Sequence, residues 1–222
     1  MIKFYAWTRE VAIARLVFLL SILLMIQIIT HEYLNQKRIE LSSKVVQFNF
    51  TNTGLIKSID SWIEYQHLVE MITKQNPTLL RNEAGQIANI ILIESARISL
   101  DPFLLAAIIK TESHFFPNVE SHWGAIGLMQ VRLPTARYLA RLNRYSVLPN
   151  LDDLYTFESN IHYGALYLKY LMNKYEGDIT KTLVAYNLGE YNLFKILQNG
   201  EPMPMFYANK VNRDYQSIIG QM

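Results

Sequence analysis

The run Phe103-Leu104-Leu105-Ala106-Ala107-Ile108-Ile109-Lys110-Thr111-Glu112-Ser113 decides how this chain is read. Asp101 and Pro102 precede it, an N-cap residue followed by a first-turn proline, so a helix is predicted to start there. Leu105, Ile108, Ile109 and Glu112 follow at i, i+3, i+4 and i+7 and share one face. That face is otherwise apolar, so a carboxylate stands where core residues are expected. Burial disfavours the charged form and raises the pKa, and the negative end of the helix dipole acts in the same direction. Phe115 and Phe116 can dry the position further. A carboxyl that stays protonated near neutral pH is what a general acid requires. The same spacing also describes a glutamate at a fraying helix end reaching into solvent. Spacing alone does not choose.

Outward from this helix the signal stays helical. Upstream, from Asn82, Ile87, Ile90, Ile91, Ile93 and Ile98 make one apolar face, closed by Ser99-Leu100-Asp101-Pro102. Downstream, helices are predicted at 134–143, 157–174, 178–187, 190–198 and 205–218, with glycines and prolines between them. No extended run alternates strictly enough to argue a sheet. The expected fold class is mainly α, over a domain spanning 85–222.

Composition narrows the function classes. Half of the 222 residues are apolar, 18% are charged and the formal net charge is +2. That balance argues against disorder. Lys and Arg are scattered without a basic run, so nucleic-acid binding has little support. The chain has no cysteine, which removes disulfides, thiol nucleophiles, cysteine-ligated zinc and a lipoprotein anchor. Histidines stand at 31, 67, 114, 122 and 162 without a His-Glu-x-x-His spacing, so no metal site is expected. A glycine-rich phosphate loop and a Ser-His-Asp arrangement are equally absent from the pattern.

The N-terminus reads differently. Residues 11–29, VAIARLVFLLSILLMIQII, carry Arg15 as their only charge, close to the length a bilayer-spanning helix needs. Arg15 can snorkel to the headgroups, and no small-x-small cleavage site follows Ile29. Residues 1–30 are therefore read as an uncleaved transmembrane signal anchor, and 31–84 as a linker with an accessory helical segment. Within that linker, Val45 to Phe50 looks β-like and Thr51-Asn52-Thr53-Gly54 looks like a turn. Ile59, Trp62, Ile63, Leu68 and Ile72 have helical spacing over 57–75, and Asn76-Pro77 should end that helix. Basic residues on the two flanks nearly balance, so charge alone gives no orientation.

Two further motifs carry candidate chemistry. Gly124-Ala125-Ile126-Gly127-Leu128-Met129-Gln130 suits a tight loop where backbone approaches a ligand, and Gln130 offers donor and acceptor to a sugar or acetamido group. A simple turn with Met129 in the core explains the same residues. Ala185-Tyr186-Asn187-Leu188-Gly189 reads as a helix end with Gly189 as its cap, or as a phenol and an amide beside the same cleft.

Taken in order, these pieces resemble the soluble-lytic-transglycosylase-like domain family over about residues 85–215. The marks are Glu112-Ser113, then Pro117 and Ser121, then Gly-Ala-x-Gly-Leu-Met-Gln at 124–130. Asn160-Ile161 with Gly164, Tyr167 and Leu168 come next, then Ala185-Tyr186-Asn187 with Gly189, and a closing Tyr207 with Val211. Glu-Ser alone carries no weight, because Glu94-Ser95 repeats it; the ordered set is specific.

The resemblance implies a lysozyme-like fold of the goose-type lysozyme and lytic transglycosylase kind. It implies non-hydrolytic cleavage of the MurNAc-β-1,4-GlcNAc bond of peptidoglycan with formation of 1,6-anhydro-MurNAc ends. Glu112 would be the single catalytic acid and then base. Ser113, Met129, Gln130, Tyr167, Tyr186 and Asn187 would bind substrate, with Met129 as a cleft wall and no cofactor or metal. Expected partners are peptidoglycan glycan strands and the membrane, with room for envelope-spanning assembly or wall-synthesis partners. The catalytic domain would then face the periplasm or cell wall from a single-pass inner-membrane anchor. A lysozyme-type hydrolase on the same fold, or a silent peptidoglycan-binding or assembly protein, remain the alternatives.

Two departures from the family pattern stand out. Leu133 occupies a position where many relatives have proline, and Pro134 follows it. Near the C-terminus, Met203-Pro204-Met205-Phe206 precede Tyr207 where relatives often carry Glu-Thr-Arg, and Glu201 is offset by two residues.

Overall fold

A computed structural model describes residues 2–220, with side chains described over 18–44 and 59–220. In chain order it contains α1 (Ile2–Gln75), α2 (Arg81–Ile98), α3 (Pro102–Ser113), β1 (Ala125–Ile126), β2 (Val131–Arg132) and α4 (Leu133–Leu142). A 3-10 turn at Asp152–Tyr155 follows, then α5 (Phe157–Lys174), α6 (Ile179–Leu188), α7 (Glu190–Gln198) and α8 (Phe206–Ile219). The mainly α expectation holds. The two strands pair antiparallel, Ala125 with Arg132 and Ile126 with Val131, a ladder too short to leave an alternating pattern in the sequence.

The chain divides into two units, Met1–Asp60 and Ser61–Met222. In the first, the β-like patch and turn expected over 45–54 are helical, within α1. A patch of β-branched residues without a partner strand satisfies its backbone only by staying helical. The segment Phe18–Lys44 is long and apolar enough to cross a bilayer, with mean hydropathy 1.4 and none of its residues buried. Of the span expected at 11–29, the side chains before Phe18 lie outside the described residues.

The second unit holds the core. Leu68, Val69, Met71 and Ile72 at the end of α1 are buried, but Ile59, Trp62 and Ile63 are exposed, so the expected apolar face starts later than its spacing implied. The helix stops at Gln75, before Asn76-Pro77. On α2, Ile87, Ile91 and Ile98 are buried, whereas Ile93 is 51% exposed. Helical geometry explains the correction: the stripe 87, 91, 98 continues through 94, not 93. Glu94 is therefore the residue turned inward, at 5% exposure.

The helix α3 starts where the sequence places it, with the Asp101 carboxylate accepting from the backbone N–H groups of Phe103 (2.7 Å) and Leu104 (3.2 Å). It packs against α2 and α8, and α2 packs in turn against α5. Leu105, Ile108 and Ile109 are fully enclosed, each contributing about 1.5–3 kcal/mol of burial. The core thereby fixes the last turn of α3, where Glu112 stands.

Candidate active site

Glu112 is half-buried. Immediately beyond it the helix is broken by two consecutive left-handed residues, His114 (φ 52°) and Phe115 (φ 64°). Such backbone costs a non-glycine residue about 1–2 kcal/mol, and the surroundings hold it. Phe115 is fully buried, and its carbonyl accepts from Asn76 Nδ2 at 2.9 Å. The residue that ends α1 thus also anchors the turn behind the candidate acid.

From α8, the Tyr207 phenol donates to Glu112 Oε1. A row of contacts fastens α8 to α3 beneath it. Thr111 Oγ1 donates to Asp214 Oδ2 (2.8 Å), Lys110 Nζ lies 3.1 Å from Asp214 Oδ1, and Lys210 Nζ donates to the Thr111 carbonyl (2.9 Å). Burial raises the Glu112 pKa, opposed by the Tyr207 hydrogen bond and the Lys210 charge, which both favour the carboxylate. Burial and the Glu112 charge push Tyr207 and Tyr186 well above the usual phenol range, so both remain hydrogen-bond donors.

Three neighbours hold the loop between the two short strands, and Gln130 braces it from within. The Ser113 hydroxyl lies 2.8 Å from the Leu128 carbonyl and 3.1 Å from that of Ile109. Tyr186 donates to the Met129 carbonyl at 2.8 Å. Asn160, 1% exposed, accepts from the Met129 N–H (2.8 Å) and donates to the carbonyls of Ile126 (2.8 Å) and Leu154 (2.7 Å). Gln130 Nε2 donates to the carbonyls of Val119 and Gly127, both at 3.1 Å. Gly127 has φ +76°, and a Cβ there would lie 2.3 Å from Asn160 Nδ2. The group that approaches this glycine so closely is the protein's own amide, not the ligand expected from the sequence.

Beside the loop is a cavity of about 170 Å³ lined by Gln130, Arg132, Thr135, Tyr167, Tyr186 and Asn187, among others. Glu112 does not line it directly but acts on Tyr186, which does. The Tyr167 and Tyr186 rings lie 5.4 Å apart. Burial, then the charge of Glu190, pushes the Tyr167 phenol up to about 12.

Gln130, Tyr167, Tyr186 and Asn187 therefore line one cavity, linked to Glu112 through its charge on Tyr186. Ser113 and Met129 do not line this cavity with them. Ser113 is 4% exposed with its hydroxyl directed at two backbone carbonyls, and Met129 is fully buried with its side chain against Gly164, where a Cβ would meet its sulfur at 2.4 Å. Both are loop supports. Two residues noted only as family marks prove central. Asn160 shares its helix stripe with Ile161, Gly164 and Leu168, all buried, and a polar residue in such a stripe signals an internal organiser. Tyr207 pairs at i+4 with Val211 on the buried face of α8, which is the signal that turns it inward. The offset Glu201 is exposed and accepts from Asn199 Nδ2 at 3.0 Å.

The family model described as the Transglycosylase SLT domain matches residues 89–201, half of the chain. The chain belongs to this family. Among curated relatives of this SLT-domain chain, a membrane-bound lytic murein transglycosylase C of Photorhabdus laumondii is 30% identical over 154 residues, covering 65% of this chain and 43% of the relative. A protein of the same name from Histophilus somni is 33% identical over 133 residues, covering 56% of this chain and 36% of the relative. The chain thus spans less than half the length of these relatives. The solved 70 kDa soluble lytic transglycosylase of Escherichia coli aligns with a TM-score of 0.57 at 21% identity, over 69% of this chain and 30% of that one. The SLT domain here has that lysozyme-like fold.

Proposed function

We propose that this chain is a membrane-anchored peptidoglycan lytic transglycosylase that cleaves the MurNAc-β-1,4-GlcNAc bond and leaves 1,6-anhydro-MurNAc ends. The observation that carries the reading is the environment of Glu112. The carboxyl is drawn toward its protonated form by burial, and the other groups that shift it are a phenol and an ammonium. Glycosidases of the two-carboxylate kind need a second acid close by; a mechanism in which one carboxyl serves twice does not.

With Oε1 engaged by Tyr207, Oε2 is the oxygen left to hold the proton. Glu112 gives it to the leaving glycosidic oxygen as the C1–O bond breaks. The substrate's acetamido group stabilises the positive centre at C1, while Gln130 and Asn187 orient that group and Tyr167 and Tyr186 wall the subsite. The Glu112 carboxylate, now a base, takes the proton of the muramic acid 6-hydroxyl, and O6 bonds to C1. The proton balance closes without water. Ser113, Met129 and Asn160 act at one remove by fixing the loop.

The apolar segment Phe18–Lys44 and the membrane-bound relatives support an anchor. A substrate lying outside the cytoplasmic membrane supports a single-pass inner-membrane topology with the catalytic unit facing the periplasm or wall. Purified peptidoglycan digested with the full chain in detergent micelles, followed by mass spectrometry, tests the reading. Anhydro-muropeptides, lighter by one water than hydrolysis products, are expected. Reducing-end products would make the protein a hydrolase, and undigested peptidoglycan would make it a binder.

A further inference from the structure

The helix α5 presents two faces. Asn160, Gly164 and Tyr167 turn toward the Met129 loop and Tyr186. Glu158 and His162 lie two residues from Asn160 in either direction, on the opposite face, about 10 Å of helix away. There they line a second cavity of about 460 Å³, together with Ile93, Glu94 and Arg97 of α2 and Tyr145. None of these groups takes part in the reaction proposed above.

The polar cluster at this cavity is built around the buried carboxyl group of Glu94. Glu94 Oε1 lies 3.1 Å from His162 Nδ1 and 3.4 Å from Arg97 Nη1, and Arg97 Nη1 lies 2.8 Å from His162 Nδ1. His162 Nε2 is 2.9 Å from the Tyr145 hydroxyl, with the two rings stacked. The second oxygen, Glu94 Oε2, is buried without a protein hydrogen-bond partner. An apolar residue would continue the α2 stripe at lower cost than a carboxylate so enclosed. What the carboxylate does is hold a guanidinium in place. The Arg97 side chain is 50% exposed, so a fork fixed at Nη1 still presents itself to the cavity. A guanidinium oriented in this way is matched to a carboxylate. Glu158, exposed at the rim, offers an acceptor for an ammonium group. Exposed Ile93 and the Tyr145 ring supply apolar surface to the same cavity.

We infer that this cavity is a second binding site, on the side of α5 away from the catalytic cleft, for short peptides that carry a free carboxylate and an amine. In the proposed substrate these are the peptide branches of peptidoglycan, and the inference rests on that reading for its source of ligand. Arg97 takes the branch carboxylate, Glu158 takes the amine, and Glu94 with His162 positions Arg97.

The test uses the full chain in detergent micelles, titrated calorimetrically with peptide branches released from purified peptidoglycan by an amidase. Saturable binding with a Kd below about 1 mM is expected. Arg97→Gln should weaken it about tenfold and Arg97→Lys by less, since lysine keeps the charge without the fork. Glu158→Gln, at an exposed position with no role in the core, should weaken it about threefold. Amidating the peptide carboxylates should reproduce the Arg97→Gln loss. No saturable binding, binding indifferent to both Arg97→Gln and Glu158→Gln, or binding only of peptide-free glycan with its lactyl carboxylates would overturn the site. Peptide binding without any glycan cleavage would refute the transglycosylase reading and leave this site standing; cleavage without peptide binding would do the reverse.

Discussion

The chain contains the same dipeptide twice near the end of a buried helix, Glu94-Ser95 on α2 and Glu112-Ser113 on α3. In both, the serine is buried with its hydroxyl 3.1 Å from a backbone carbonyl of its own helix, Leu92 for Ser95 and Ile109 for Ser113. The glutamates differ in what they meet. Glu94 Oε1 lies 3.1 Å from an imidazole nitrogen and 3.4 Å from a guanidinium nitrogen. Glu112 meets a phenol, and burial outweighs both that hydrogen bond and the charge of Lys210. A carboxyl group tied to a guanidinium and an imidazole is fixed in place and serves structure or binding. A carboxylate given one neutral donor and little water can gain and lose a proton. Identity at two positions says nothing about role; the partners arriving from α5 and α8 decide it.

That contrast can be broken most directly at the acid itself. Glu112→Gln should lower cleavage about 10³-fold while the variant stays folded, as read by muropeptide release and circular dichroism. Retained activity would remove Glu112 from the mechanism. The mirror substitution, Glu94→Gln, should act on stability: with Arg97 and His162 losing their shared anion, denaturant unfolding should report a loss of about 1–3 kcal/mol.

A smaller effect tests the neutral donor. Tyr207→Phe removes a hydrogen bond that favours the Glu112 carboxylate, so the acid's pKa should rise further. The alkaline limb of the pH–rate profile should move to higher pH, with about a tenfold loss in rate. An unmoved limb would detach Tyr207 from the titration.

The smallest effect is on stability. Because the folded-state pKa of Glu112 is raised, the native chain binds its proton at a pH where the unfolded chain has released it. The stability this contributes is present at low pH and is lost as pH rises through the folded value. Glu112→Gln has nothing to ionise, so it should melt higher than the parent above that pH, with the gap closing in acid. A gap independent of pH would mean that Glu112 ionises as freely in the folded chain as in the unfolded one.

Much of the fold was legible because it rests on local signals. Asp101-Pro102 starts α3, Asn76-Pro77 stops α1, and the apolar period outlines α5 to α8. The misreadings came where a local pattern competes with a distant partner. Ile93 looked apolar and therefore internal, but the register of α2 gave that place to Glu94. The 45–54 segment looked β-like, but no strand lies there to pair with it. That Gln130, Tyr186 and Asn187 line one cavity was readable from motif order. The duties of Ser113 and Met129 were not, because they depend on where the Leu128 and Met129 carbonyls point. No single segment encodes that.

The grip on the loop has a consequence for exchange with solvent. The Met129 amide donates to the enclosed Asn160 side chain, while the carbonyls of Leu128 and Met129 are taken by residues of α3 and α6. Three separate helices must let go before that amide meets water. Its deuterium uptake should therefore track global unfolding rather than local fraying. The floor beside Glu112 is then as durable as the hydrophobic interior.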